Sequence, residues 1–164
     1  MIRVAVTDAN IFIDLIILDA IQHLFNINLQ IHTTREVYDQ LNLDQKLKVE
    51  VFVKQNLLVV YNFSVEEIND IVLLEFPRGL EPADRTVYYY AKKSSSIVLS
   101  GDKKLRKYCS SNGLEVFGLI WVFDQIVELG QITKEEAIIK LEKLISYNDR
   151  LPLDEILKRL KKWK

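Results

Sequence analysis

The sequence predicts an α/β protein: a three-layer α/β/α sandwich around a mainly parallel sheet. Three observations predict it. Short apolar segments with strand-like alternation recur at 3–6, 29–32, 57–60, 96–100 and 114–118. Longer stretches with helical periodicity separate them. Strands that alternate with helices build βαβ units, in which helices cover both faces of parallel strands.

Each element follows from local chemistry. "RVAV" (3–6) leads through Thr7 to Asp8, and "NIFIDLIILDAIQHLF" (10–25), apolar nearly all round, predicts a helix that is buried or covered by a partner. After "LQIH" (29–32), "TTREVYDQL" opens a helix at a threonine cap, and "LDQKLKVEVFVKQN" (43–56) predicts the next. "LLVV" (57–60) precedes "SVEEINDIVLLEF" (64–76), where Ser64 and Glu67 stand at capping-box spacing. "EPADRTVYYYAKK" carries Pro82 where a first helical turn tolerates proline. "SIVLS" (96–100) leads into "GDKKLRKYCSSNG", which stops at Asn112-Gly113. "LEVFG" (114–118) is followed by three helices, including "TKEEAIIKLEKLISYN" with a Thr133–Glu136 capping box and the amphipathic "PLDEILKRLKKWK". Residues 1–164 read as one domain with 119–164 as a helical extension; after the "NDRLP" break (148–152), the last helix either packs on the others or swings free to dock elsewhere.

Composition narrows the class. With 49% hydrophobic and 27% charged residues the chain matches a soluble globular protein of 164 residues. The single cysteine, Cys109, excludes an internal disulfide and suits a reducing compartment. The start has no signal-peptide layout, and "IFIDLIILDAI" is too short, and too interrupted by Asp14 and Asp19, to span a bilayer. A cytoplasmic protein without a membrane partner is expected. The net charge of −1 conceals an asymmetry: residues 1–75 hold 5 basic against 11 acidic residues, and 76–164 hold 17 against 12. The basic half fits a polyanion only if its charge gathers on one face.

Four acids occupy strand-to-helix junctions or first helical turns: Asp8, Glu36, Asp84 and Asp102. Each alone has an ordinary explanation, as a helix cap or a partner of the helix dipole. If the strands are parallel neighbours, however, the acids converge on one edge, where open sheets bind ligands. Converging carboxylates repel, and either protons or a divalent cation must compensate. Oxygen ligands without cysteine or histidine suit Mg²⁺ or Mn²⁺; His23 and His32 lie in no metal-ligand spacing. Such cations activate water and stabilise charge on an attacked phosphodiester, so no side-chain nucleophile is required.

In order and spacing, "VTDANIFIDL", "TTREVYDQL", "GLEPADRTVYYYAKK" and "IVLSGDKKLRKYCSSNGLEVFG" resemble the four acidic motifs of PIN-domain ribonucleases, notably VapC-like toxins of prokaryotic toxin–antitoxin pairs. The tail "GQITKEEAIIKLEKLISYNDRLPLDEIL" resembles the C-terminal extension of one such subgroup. The resemblance implies the α/β/α sandwich, a Mg²⁺ or Mn²⁺ site and hydrolysis of single-stranded RNA. It places Asp8, Glu36, Asp84 and Asp102 at the acidic positions, Asn10 as the small polar residue after the first acid, and Ser100 as the hydroxyl residue before the last. Lys103, Lys104, Arg106 and Lys107 are candidates for holding the RNA backbone, or form a solvated helix face. An antitoxin-like protein and a second copy of the chain are the expected protein partners.

Three departures matter. Many relatives carry a further acid where this chain has Gly101, which implies a weaker second metal. Glu81 competes with Asp84 for the third position, and helix phase favours Asp84. The run Tyr88–Tyr90 is heavier than usual; core packing explains at least one tyrosine, and base stacking is an alternative for another. The rival functions are a PIN-fold binding module that acts through protein contacts and a phosphatase that uses Asp8 as nucleophile. A haloacid-dehalogenase-like site needs a second aspartate where Asn10 stands, and no G-x-G-x-x-G supports a dinucleotide site.

Overall fold

The computed structural model describes residues 2–148 and 151–164. Its centre is a sheet of β1 (Arg3–Thr7), β2 (Leu29–Thr34), β3 (Leu58–Tyr61), β4 (Ile97–Leu99) and β5 (Val116–Phe117). The strand order is β3-β2-β1-β4-β5, and every neighbouring pair is parallel. All carboxyl ends therefore share one edge. The chain winds outward from β1 through β2 to β3, then returns to β4 and β5 on the other side of β1. That reversal opens a crevice between β1 and β4, the usual ligand position in a doubly wound sheet.

The strands are short and buried, and side chains alternate between two cores. Ala5, Ile31, Leu58, Ile97 and Leu99 face a core shared with α1 (Ala9–Ile17), α2 (Ile21–Leu24), α4 (Leu43–Lys54), α8 (Leu119–Glu128), α9 (Lys134–Tyr147) and α10 (Leu153–Trp163). Val6 and Val98 face a second core with α3 (Arg35–Asp39), α6 (Pro82–Ser94) and α7 (Lys103–Ser111). The layers are thus α/β/α, as the sequence predicts. The capping boxes of Ser64–Glu67, at the start of α5 (Val65–Leu73), and of Thr133–Glu136 both form.

Three elements differ from expectation. The helix predicted over 10–25 breaks into α1 and α2, because Asp19 adopts a left-handed φ of 50° and the Ala20 amide turns back to the Leu15 carbonyl. Aspartate tolerates that conformation better than bulkier residues do. Helix α5 stops at Leu73, and Leu74 is extended on the way to Pro77. Strand β5 keeps only two of its predicted residues.

The apolar first helix is covered by its own chain. Side chains of α8, α9 and α10 join the core that buries Ile11, Phe12 and Leu15. The α9 lysines Lys140 and Lys143 donate to the carbonyls of Leu18 and Ile17 at 2.8 and 3.1 Å, which satisfies the end of α1. Helix α10 does not swing free. It buries Ile156, Leu160 and Trp163, and Arg159 pairs with Asp124 of α8 at 2.7 Å. Burial of each such side chain is worth roughly 1.5–3 kcal/mol. The predicted break at 148–152 includes residues 149 and 150, which lie outside the described residues. No described helix is long and apolar enough to cross a membrane.

Candidate active site

Asp8 follows β1 and caps α1: its Oδ1 accepts the Ile11 amide at 3.2 Å. The Asp8 amide in turn donates to the Leu99 carbonyl of β4 at 3.1 Å, which fixes the residue at the β1–β4 crevice. Across the crevice, the fully buried Ser100 follows β4. Its hydroxyl donates to Asp8 Oδ2 and accepts the Asp102 amide at 3.0 Å. One hydroxyl therefore orients two acids, Asp8 through its side chain and Asp102 through its backbone. Asp102 caps α7 by accepting the Leu105 amide at 2.8 Å. The cap reading and the convergence reading of these aspartates are thus both true of the molecule.

Asp84 reaches the same place from the first turn of α6. Burial is the main reason that the Asp8 carboxyl is pushed up to about 7, and the charges of Asp84 and Asp102 add to it. Asp84 rises to about 6, first through burial and then through Asp102 and Glu81. Glu81 itself is exposed, so Asp84 is the acid that the fold turns inward.

Glu36 lies in the first turn of α3, after β2, at the same sheet edge. It is not among the charges acting on Asp8 or Asp84. Its Oε2 is buried without a hydrogen-bond partner among the described residues. An unpaired buried acceptor costs about 1–3 kcal/mol, and a cation would relieve it. The structure thus couples three acids closely and holds the fourth near the same rim. As they stand, no three His, Cys, Asp or Glu side chains among the described residues are arranged to hold a metal ion. The donor set is nevertheless the right one for Mg²⁺ or Mn²⁺: carboxylate oxygens, one of them orphaned, and two acids that repel when ionised.

A threonine scaffold supports these positions, and sequence reasoning missed it. Thr33 Oγ1 donates to the Thr7 carbonyl at 2.8 Å, joining β2 to β1 just before Asp8. Thr34 caps α3 and hydrogen-bonds to Thr86 at 2.8 Å, while Thr86 donates to the Ala83 carbonyl at 2.6 Å. The first turns that carry Glu36 and Asp84 are therefore tied by hydroxyls. The only hint in the sequence is polar residues at positions that helical phase and strand alternation assign to the interior.

Asn10 is exposed in the first turn of α1 and lines a groove of about 1050 Å³ together with Asp102. Lys103, Lys104 and Arg106 line it too; Lys107 is exposed but does not. A Cβ on Gly101 would meet nothing within 4 Å, so the place of the missing further acid is open. The tyrosines lie elsewhere. Tyr88 and Tyr90 are core residues, and the Tyr89 hydroxyl donates to Asp70 of α5 at 3.1 Å.

Comparison with known proteins identifies the family. No curated protein matches the chain significantly. Among solved structures, a PilT N-terminus domain protein, SSO1118, from the hyperthermophilic archaeon Sulfolobus solfataricus P2 aligns over 72% of this chain and 88% of its own, with 12% identity and a TM-score of 0.43. At that score the likeness adds no argument of its own. The model of one family, DUF3368, described as a PIN domain, matches residues 4–164. The chain belongs to the PIN-domain family, whose members are commonly nucleases.

Proposed function

We propose that this PIN domain is a divalent-cation-dependent endonuclease that hydrolyses single-stranded RNA. The observation that carries the proposal is the coupled set Asp8–Ser100–Asp102 with Asp84 at the sheet's switch point. Asp8, Asp84 and Asp102, with Glu36 beside them, are the residues that would hold Mg²⁺ or Mn²⁺. The cation supplies charge neutralisation at the attacked phosphate and a water acidic enough to ionise near neutral pH. Ser100 keeps Asp8 and Asp102 in register, and Asn10 offers an amide at the mouth. Lys103, Lys104 and Arg106 stand where they can neutralise flanking phosphates. Because water is the nucleophile in this reading, products carry 5′-phosphate and 3′-hydroxyl ends. The same reading includes an antitoxin-like partner and a second copy of the chain; α5 exposes Val65, Val72 and Leu73, apolar side chains that such an association would cover.

The test is incubation of a 5′-labelled single-stranded RNA with Mn²⁺ and wild type or Asp102→Asn. Cleavage by wild type alone, leaving 3′-hydroxyl ends, supports the proposal. Products ending in 2′,3′-cyclic phosphate contradict its mechanism. A second reading, a binding module with a weak centre, draws on the absence of a ready-made cage among the described acids. It predicts no cleavage at any Mn²⁺ concentration and partner binding unaffected by Asp102→Asn.

A further inference from the structure

The groove at the acidic centre does not end there. It runs from Asn10 and Asp102 past Arg106 to Phe117, Trp121 and Arg159, so the C-terminal helices form its far wall. Three features of the groove are specific to its chemistry. Phe117 and Trp121 are stacked, with centroids 4.3 Å apart and planes 17° apart. Both are half-buried and both line the groove, so the pair is neither sealed in the core nor loose on the surface. Arg106 is held close: a Cβ on Gly118 would stand 3.2 Å from its Nη1 and 3.7 Å from the Ser100 carbonyl. Its guanidinium therefore lies over Gly118, beside the residue that orients Asp8 and Asp102.

The charges of the groove are also sorted. Asp102 and Glu81 lie at the acidic rim, and Asp124 is neutralised by Arg159 at 2.7 Å. Lys103, Lys104 and Arg106 all come from one side, the first turn of α7, whereas the aromatic pair lies on the β5–α8 side. Asp14 and Glu155 also line the groove, so it is no general polyanion sink. A folded duplex would hide its bases from an aromatic wall. A single strand presents phosphates along one side and base faces along the other, which matches this division.

We infer that the groove between α7 and the C-terminal helices is the track for single-stranded RNA flanking the cleaved bond, with Arg106 on a backbone phosphate and a base stacked on the Phe117–Trp121 pair. The cleavage rests on the nuclease function proposed above; the binding does not. The extension after β5 thereby has a role besides covering α1: it selects unpaired nucleotides.

The experiment is done in EDTA, so that binding is read without turnover. The chain has two tryptophans, and Trp163 is buried, so Trp163→Phe leaves Trp121 as the sole indole reporter. A single-stranded oligoadenylate decamer should quench its emission, and the matched duplex should not. By anisotropy of the labelled decamer, Trp121→Ala should weaken binding about tenfold or more, the scale of one lost base stack, and Trp121→Phe should restore most of it. Arg106→Gln should weaken binding and flatten its salt dependence. If Trp163→Phe does not fold, the Trp121→Ala and Trp121→Phe titrations in the native background decide. Decamer binding that Trp121→Ala leaves unchanged, or no binding at all, overturns the inference. Stacking without any Mn²⁺-dependent cleavage leaves the track standing and removes the nuclease reading.

Discussion

Two buried carboxylates in this molecule have opposite fates. Glu67, at the start of α5, is held well below the usual carboxylate range, at about 2, chiefly by the Ser64 amide and Lys93. Its oxygens also accept from the Tyr61 hydroxyl, and Lys93 Nζ lies 2.9 Å away. Asp8, just after the central strand β1, is buried more deeply and is pushed up to about 7, chiefly by that burial. It has Ser100 and Ile11 as donors and the acids Asp84 and Asp102 for neighbours, with no described basic side chain acting on it. Glu67 is a finished ionic network that holds α5 and α6 to β3. Asp8 is an unfinished one, buried among acids, and under the proposed function a cation would complete it.

The contrast can be broken in four ways. The largest effect is on catalysis. Asp8→Asn should lower Mn²⁺-dependent RNA cleavage on the order of a thousandfold, because a cation supplies several kcal/mol of transition-state stabilisation. Initial rates on a labelled RNA measure this, and Glu67→Gln should leave the rate per folded molecule near wild type.

Next is the pH dependence of stability without divalent cations. A carboxyl raised from 3.8 to about 7 favours the fold when protonated, so its contribution is full below about pH 4 and is lost as pH rises through 7. Asp84, raised to about 6, acts in the same direction. Asp8 alone is worth up to about 4 kcal/mol over this window. Urea titrations in EDTA should therefore show stability falling between pH 4 and 8, less steeply in Asp8→Asn. Saturating Mn²⁺ should reverse the trend, because metal binding requires the ionised acids. Glu67 has the opposite sign: its lowered value contributes stability that is full above about pH 4.5 and is lost as pH falls towards and through about 2.

Third, removing charge should have opposite effects at the two sites. In EDTA at pH 8, Glu67→Gln should destabilise the fold, because it removes the charge beside Lys93 and weakens the bonds to Tyr61 and the Ser64 amide. Asp8→Asn should be neutral or stabilising, and chemical denaturation compares them. The smallest effect concerns Gly101. Its position is open and has no left-handed φ, so Gly101→Asp should change stability by less than about 0.5 kcal/mol. The added carboxylate should tighten Mn²⁺ binding, as measured by isothermal titration.

Much of this was legible in the sequence for a simple reason: strands, caps and junction acids are local features. The Ser64 and Thr133 boxes, the Asn112-Gly113 stop and the junction positions of Asp8 and Asp102 need only a few neighbouring residues. Where a local feature had two solutions, the sequence reading failed. Asp19 reads as one more polar residue in a helix, but its left-handed backbone ends that helix. The Thr34–Thr86 bond and the meeting of Arg106 with Gly118 join separate elements, and no periodicity announces them. The cover of α1 was invisible for the same reason: it lies more than a hundred residues away, in Lys140, Lys143 and their helix.

The most direct measurement is a thermal melt at pH 8 with and without millimolar Mn²⁺, for wild type, Asp84→Asn and Glu67→Gln. A cation at a hundred times its Kd adds about 2.7 kcal/mol to the folded state, which for a domain of this size is roughly 5–10 °C. The account predicts that rise in wild type and in Glu67→Gln, and little or none in Asp84→Asn. Coincident wild-type curves with and without the metal, or an undiminished rise in Asp84→Asn, would contradict it.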